Sequence, residues 1–460
     1  MGSSRVKKLA VAVLLFCGIV RAQSTDTDYR VYTEHPRLFL QARKLRMLKR
    51  EKDRQALRWQ QFDTLMTGKA QMPEQGFALA LYSQVSGESG FCDEAVRWAQ
   101  GTGADLRQLA LVFDWCQPSL STEASEAMAS RLERSIAAAA TTPGVPAMRD
   151  RVLAAIALGE RVPAESERIL ETAVETWWRG VIAPAIGNQR DALTGDEMPA
   201  LFEILHAVRD NFGIDLRESI PGYFRDLPLQ RLLSYYPSSY SASENEYHIP
   251  ALKGGGEPDL RRAALFRAAD LSLVAYDPNS KESQFLLGWL MRDPFLMRSS
   301  FGIPYEFLWA NPYMPGLSYY HAPLVQHDSR VGRLFLRSSW DEDATWLGYF
   351  DGELQVFAKD GLKLIRQQPA SKPIRLGDVA VVMASGASPI QLDGMDVRAI
   401  YLLGLRPGAV YEIRGANGGA TRETADNGGI VALTIQPETR RPLRIRELTG
   451  SRKRGDVTLP

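Results

Sequence analysis

The chain has 460 residues, 45% of them apolar and 24% charged, with 55 basic and 54 acidic side chains for a net charge of +1. That balance suits two or three folded domains with real cores, and it excludes a disordered or collagen-like chain. Near-neutrality also excludes a global electrostatic pull toward nucleic acid or anionic membranes, so any grip on an acidic ligand has to be local.

At the N-terminus Arg5, Lys7 and Lys8 precede an apolar run from Leu9 to Val20, and Val20-Arg21-Ala22 ends before Gln23. This is the layout of a secretory signal peptide over residues 1–22, too short for a stable membrane anchor. Its removal takes Arg5, Lys7, Lys8 and Arg21, leaving 51 basic against 54 acidic residues and a net charge of −3. The mature protein is expected to be exported, to the periplasm or the extracellular space. Cys92 and Cys116 survive processing. In an oxidising compartment they read equally as a disulfide or as two buried thiols.

From about Pro36 to Arg292 the apolar residues recur at helical spacing. Ala124, Met128, Leu132 and Ile136 form one stripe after the cap Ser121, and Leu260, Ala264, Ala268, Leu271 and Ala275 form another after Asp259. Further stripes run through 169–181, with the Trp177-Trp178 pair, and through 198–208. Consecutive helical hairpins leave a solenoid or a partial α/α toroid; no fixed-period repeat is present, which favours the toroid. From Ser300 to His321 the pattern breaks into an aromatic connector punctuated by Pro304, Pro312, Pro315 and Gly316. Beyond it, short β-rich runs begin at Arg333, Thr345, Val379, Val397, Val410 and Ile430, with turn chemistry at Asn417-Gly418 and Asn427-Gly428. The expected architecture is multi-domain α + β: signal peptide 1–22, a toroid-like helical domain 23–299, a connector 300–330, an antiparallel β-sandwich 331–450 and a tail 451–460.

Several strings carry a family likeness. His35-Pro36-Arg37-Leu38-Phe39 opens the mature chain, Phe113-Asp114-Trp115 closes a helix, and Arg337-Ser338-Ser339-Trp340 precedes Asp343-Ala344-Thr345 where the strands begin. With Pro407 to Tyr411 and Asp426 to Gly429, they span nearly the whole mature chain in order. In this the chain resembles the heparinase II/III-like and alginate-lyase-like polysaccharide lyases. The resemblance implies a helical domain followed by a β-sandwich, and β-elimination of an acidic polysaccharide without metal or cofactor. The chain also departs from the family. The stretch from Glu353 to Asp360 lacks the histidines expected after the first sandwich strands, and Asn188 to Arg209 offers Asn188, Glu197, Glu203 and His206 but no tyrosine. The family's catalytic set does not carry over residue by residue.

β-Elimination from a uronate needs a group that neutralises the carboxylate, a base for the C5 proton and an acid for the leaving oxygen. The densest local set is Tyr235-Tyr236-Pro237-Ser238-Ser239-Tyr240 with Glu244-Asn245-Glu246-Tyr247-His248. There Asn245 would bind the carboxylate, His248 would be the base, and Tyr247 or Tyr240 the acid. The other reading is an ordered loop whose tyrosines pack on the helices. His206, alone in its segment, is a candidate cleft residue or a satisfied helix histidine. In the connector Trp309, Tyr313, Tyr320 and His321 are candidate sugar-stacking and binding residues, or the packing of a domain seam. No Walker loop, HExxH or GxSxG string is present. The expected partner is an acidic polysaccharide, with no nucleic acid and no anchor after processing. The alternative is a catalytically inactive relative that binds glycan or serves a structural role in the envelope.

Overall fold

The computed structural model describes residues 28–101, 103–188, 193–241, 245–254, 257–359, 361–365, 372–384, 397–415, 419–435 and 443–448. The expected signal peptide and the tail lie outside them. The N-terminal part is helical and the C-terminal part is built of sheets. No described helix is long and apolar enough to cross a membrane.

The helical part is a chain of packed hairpins. Gln75–Ser86 ends at Gly87, whose left-handed backbone (φ 84°) glycine adopts at no steric cost, and the chain turns into Ser89–Gln100. Leu106–Trp115 packs on Gln75–Ser86 and on Val145–Leu158, which in turn meets Met198–Phe212. The caps read from sequence are in place: Ser121 accepts from the Ala124 amide and Asp259 from the Arg262 amide. Each such cap is worth about 1 kcal/mol. Leu260–Tyr276 is buried around most of its circumference, including Arg267 and Asp270, as a helix at the centre of an array must be. The last helix, Gly302–Trp309, returns to pack on Leu260–Tyr276 and on Leu57–Thr67. Cys92 and Cys116 form a disulfide, with Cα atoms 5.5 Å apart, joining two neighbouring helices.

Two of the family-like strings meet in this part. The Asp114 carboxylate, fully buried, accepts from the Arg37 amide (2.9 Å), the Leu38 amide (2.8 Å) and His35 Nδ1 (2.7 Å). The Trp115 indole donates to the Leu38 carbonyl at 2.8 Å. Arg37, also fully buried, donates to the carbonyls of Thr33 and Ala157 and pairs with Glu160. The likeness there is a structural clamp that ties the entry segment to the helices.

A two-stranded ladder, β1 (Tyr240–Ser241) and β2 (Glu246–Tyr247), lies among the helices. The other strands are β3 (Val325–Asp328), β4 (Arg333–Arg337), β5 (Trp346–Phe350), β6 (Glu353–Ala358), β7 (Gly361–Ile365), β8 (Ile374–Leu376), β9 (Val379–Met383), β10 (Ala399–Leu403), β11 (Val410–Arg414), β12 (Ala420–Thr424), β13 (Val431–Thr434) and β14 (Arg444–Glu447). They make a five-stranded sheet in the order β3-β4-β5-β6-β7, a four-stranded sheet β13-β10-β9-β8 and a three-stranded sheet β12-β11-β14.

Two corrections to the expected sandwich follow. β9 and β10 pair in parallel, Val379 opposite Ala399 through Met383 opposite Leu403; the long connection between them is what a parallel pair requires. The sheets also stack as three layers. On β4, Leu334 and Leu336 face the four-stranded sheet while Phe335 faces the helices, and on β5 Leu347 and Tyr349 oppose Trp346 and Phe350 in the same way. On β9, Val379 and Val381 meet the five-stranded sheet while Ala380 and Val382 meet Tyr411 and Ile413 of the three-stranded one. Period-two alternation here sorts apolar residues between two cores, because both faces of the middle strands are dry.

The first sheet docks on the helices through aromatic side chains. Trp346 donates from its indole to the Leu233 carbonyl at 2.7 Å and meets the Tyr236 ring at 5.1 Å. Gly348, two residues on and on the same face, leaves room for it; a Cβ there would lie 2.3 Å from the Trp346 ring. His327, the last histidine of the chain, binds Asp426 at 2.8 Å, and Asp426 also accepts from the Gly428 and Ile430 amides.

Candidate active site

The described residues 235–241 and 245–250 pair as two arms that leave and rejoin the helical part. Tyr235 bridges to Pro250, and the Tyr236 amide donates to the Ile249 carbonyl at 3.2 Å. Three side-chain bonds tether them: Tyr235 Oη to Asp270 (2.7 Å), Tyr236 Oη to Gln355 of β6 (2.7 Å), and the His248 amide to Asp293 (2.8 Å). Burial, with Asp270 adding to it, pushes the Tyr235 phenol well above its usual range, so Tyr235 is a hydrogen-bond donor here.

The ladder stands between two cavities. One, about 390 Å³, is lined by Tyr236, Tyr240, Lys253, Glu257, Arg262 and Phe357, where the helices meet the five-stranded sheet. The other, about 510 Å³, is lined by Gln61, Asn245, Tyr247, Arg261, Arg298 and Phe301 among others. Tyr240 and Tyr247 are register partners yet line different cavities. Tyr240 is further committed by donating its hydroxyl to Glu257.

In the larger cavity the cations differ in their commitments. Arg298 binds the Gln61 side chain and pairs with Glu306 at 2.9 Å. Burial raises Glu306 above the ordinary carboxylate range in spite of that arginine. The exposed Arg261 guanidinium lies over Phe301, 5.3 Å from the ring centre, and forms no ion pair with a described residue. Asn245, Tyr247 and a guanidinium without an ion pair among the described residues thus share one cavity. An amide donor, a phenol and a cation can hold a carboxylate and deliver a proton beside it.

His248 lies just outside. It is 7% exposed, its Nδ1 is 3.4 Å from Asp293 Oδ2, its ring meets Trp289 edge-on at 5.1 Å, and its Nε2 is buried without a partner. Burial pushes Asp293 up, but its hydrogen bonds from the His248 side chain and amide outweigh that and hold it below the usual range.

The remaining candidates lie apart from both cavities. His206 is buried, with Nε2 3.0 Å from the Ser272 carbonyl and its ring 4.4 Å from Trp309. Burial, with repulsion from Lys44 and Arg209, keeps its pKa well below the ordinary value, so it is a neutral packing residue. Trp309 is 3% exposed and packs on Phe39, with Lys44 Nζ 4.0 Å from its ring centre. Tyr313 is exposed beside Arg54, Tyr320 is exposed and stacked on Tyr319 at 4.9 Å, and His321 is exposed in the same short helical turn. Among the described residues no three His, Cys, Asp or Glu side chains gather as metal ligands would.

Lys44 yields a prediction. Burial, reinforced by Arg209 and Arg58, lowers its pKa to about 7. The unfolded chain then holds a proton there that the folded chain does not between pH of about 7 and about 10.4, so stability rises with pH across that window and the penalty is full below it. Lys44→Met is expected to raise the melting temperature at pH 6, with the gain shrinking toward pH 10; an equal shift at both pH values would contradict the assignment.

Residues that reading the sequence missed are Gln61, Arg261 and Arg298. Gln61 comes from the helix Leu57–Thr67, far away in the chain, and Arg261 sits in the first turn of a helix where any exposed arginine looks alike. No local signal marks them.

No family model matches the chain, and no curated protein matches it. Among solved structures, one named as a glycoside hydrolase aligns over 82% of this chain and 71% of its own length, at 8% identity and a TM-score of 0.30. At that score nothing passes from it to this chain.

Proposed function

We propose that the chain is an exported, glycan-active protein, a divergent relative of the heparinase II/III-like lyases with a toroid-like helical domain, acting on an acidic, uronate-bearing polysaccharide by β-elimination. One observation carries the reading: Asn245 and Tyr247 line the same cavity as Arg261, which forms no ion pair with a described residue. Arg261 and Asn245 hold the uronate carboxylate, which acidifies the C5 proton. Tyr247, entering the step as phenolate, takes that proton; the electron pair left behind forms the C4–C5 double bond, the C4–O bond breaks, and the Tyr247 hydroxyl so formed returns the proton to the departing oxygen. The exposed connector residues Tyr313, Tyr320 and His321 offer further contacts along a long ligand.

The test is incubation with a panel of uronate polysaccharides, following absorbance of the unsaturated product. Tyr247→Phe is expected to lower turnover by roughly 10²–10⁴-fold, and Arg261→Gln to raise KM more than it lowers kcat. Turnover left unchanged in Tyr247→Phe would end this assignment.

A second reading, an inactive glycan-binding or structural envelope protein, is favoured by His248: its Nε2, the natural base, is closed off by protein. Retention on a glycan affinity gel with no product from any polysaccharide would decide for it.

A further inference from the structure

The seam between the helices and the five-stranded sheet encloses a group of polar atoms without partners, set around one indole. Trp289, on the helix Lys281–Leu290, is met edge-on by Tyr319 at 5.1 Å and by His248 at 5.1 Å, with Trp340 at 6.3 Å. Arg337, at the end of β4, places its guanidinium carbon 4.3 Å from the Trp340 ring centre and 5.5 Å from that of Trp289. Trp289 is 1% exposed and Arg337 2%. Yet Arg337 Nη1 and Nη2, Trp289 Nε1 and His248 Nε2 all lack a hydrogen-bond partner.

Among the described residues the Arg337 guanidinium keeps a single hydrogen bond, from Nε to the Ser339 carbonyl at 3.1 Å, and forms no ion pair. The second cation on the same indole, Arg292, is committed to Tyr319 Oη (3.2 Å) and Glu342. Burial lowers the Arg337 pKa to about 10, and the Arg292 charge adds to the fall. A guanidinium buried against two indoles, with the exposed Asp341 acting on it only from beyond ion-pair distance, is a costly arrangement for a core to hold. Three of the four orphaned atoms are donors only, since an indole and a guanidinium have no acceptor. A water could accept two of those bonds but would leave the charge uncompensated. An anion answers both.

We propose that Arg337 and Trp289 bind a small monovalent anion, the size of a halide or formate, at the seam between the helical part and the five-stranded sheet. The close-packed aromatics restrict the size. Arg292, one quarter exposed, and the exposed Tyr320 mark the side facing solvent. Bound there, the anion neutralises Arg337 and ties the docking of the sheet to the anion content of the medium. This inference does not depend on the proposed β-elimination.

Two measurements test it on the full chain. In crystals soaked with bromide, an anomalous peak is expected within hydrogen-bonding distance of Arg337 Nη1 or Nη2; its absence would overturn the proposal. In solution, the melting temperature of the wild type is expected to climb with chloride or formate at constant ionic strength, by on the order of 1–2 °C per tenfold increase above the dissociation constant. Arg337→Met, which replaces the cation with an apolar chain of similar length, is expected to remove that dependence while folding at least as stably in sulfate alone. An equal anion response in wild type and Arg337→Met would sink the idea. A response to chloride but not formate, or the reverse, assigns the anion.

Discussion

Asp114→Ala is expected to lower folding stability by roughly 2–6 kcal/mol, because it strips the acceptor from two buried backbone amides. The carboxylate is fully buried and serves two backbone amides and the His35 ring at once. Without it the Arg37 and Leu38 amides face the interior unpaired, and each buried orphan costs roughly 1–3 kcal/mol. The damage should spread, because Arg37 next door anchors the carbonyls that end Val145–Leu158. A urea midpoint measured beside that of Asp114→Asn, which keeps one acceptor oxygen, gives the check. A loss under about 1 kcal/mol would show that the clamp is dispensable.

Trp346→Ala should be comparably severe and different in kind. Deleting a fully buried indole costs about 3–5 kcal/mol, and here the indole joins two parts of the molecule. It fills the space above Gly348, donates to the Leu233 carbonyl, and packs on Tyr236 and Phe335. Its loss is expected to split a single calorimetric transition into two, the sheets melting below the helices. If one transition persists with its midpoint unmoved, the seam is held by other contacts, such as the Tyr236 to Gln355 bond.

Much of the helical part was legible in the chain, because caps and apolar spacing are local. Ser121 and Asp259 cap the helices they precede, and Met128, Leu132 and Ile136 are buried as their spacing implies. Of the strands in the three sheets, β4, β5, β9, β10, β11 and β13 were legible, whereas β3, β6, β7, β8, β12 and β14, and the layering, were not. Leu334-Phe335-Leu336 is apolar throughout, and nothing in it says that Phe335 belongs to a different core from its neighbours. The site divides in the same way. Asn245 and Tyr247, close in sequence, do share a cavity; Tyr240 lines the other one, and His248 turns into the seam. A one-residue step along an extended backbone reverses the side chain, so adjacency in sequence does not become adjacency at a site.

By itself the sequence determined which residues cap and stripe the helices and which two cysteines were available to pair, but the connector expected over 300–330 holds the helix Gly302–Trp309 and strand β3. Those properties depend on residues a few positions apart, whose geometry the backbone sets. Tertiary structure alone decided that Asp114 is a clamp, that β9 and β10 run parallel, that Arg261 lines one cavity with Tyr247 without an ion pair to a described residue, and that Arg337 is buried against Trp289, likewise without an ion pair to a described residue. Each of these depends on groups brought together from distant parts of the chain, and burial, which sets the energy of a charge or a hydrogen bond, exists only once they meet.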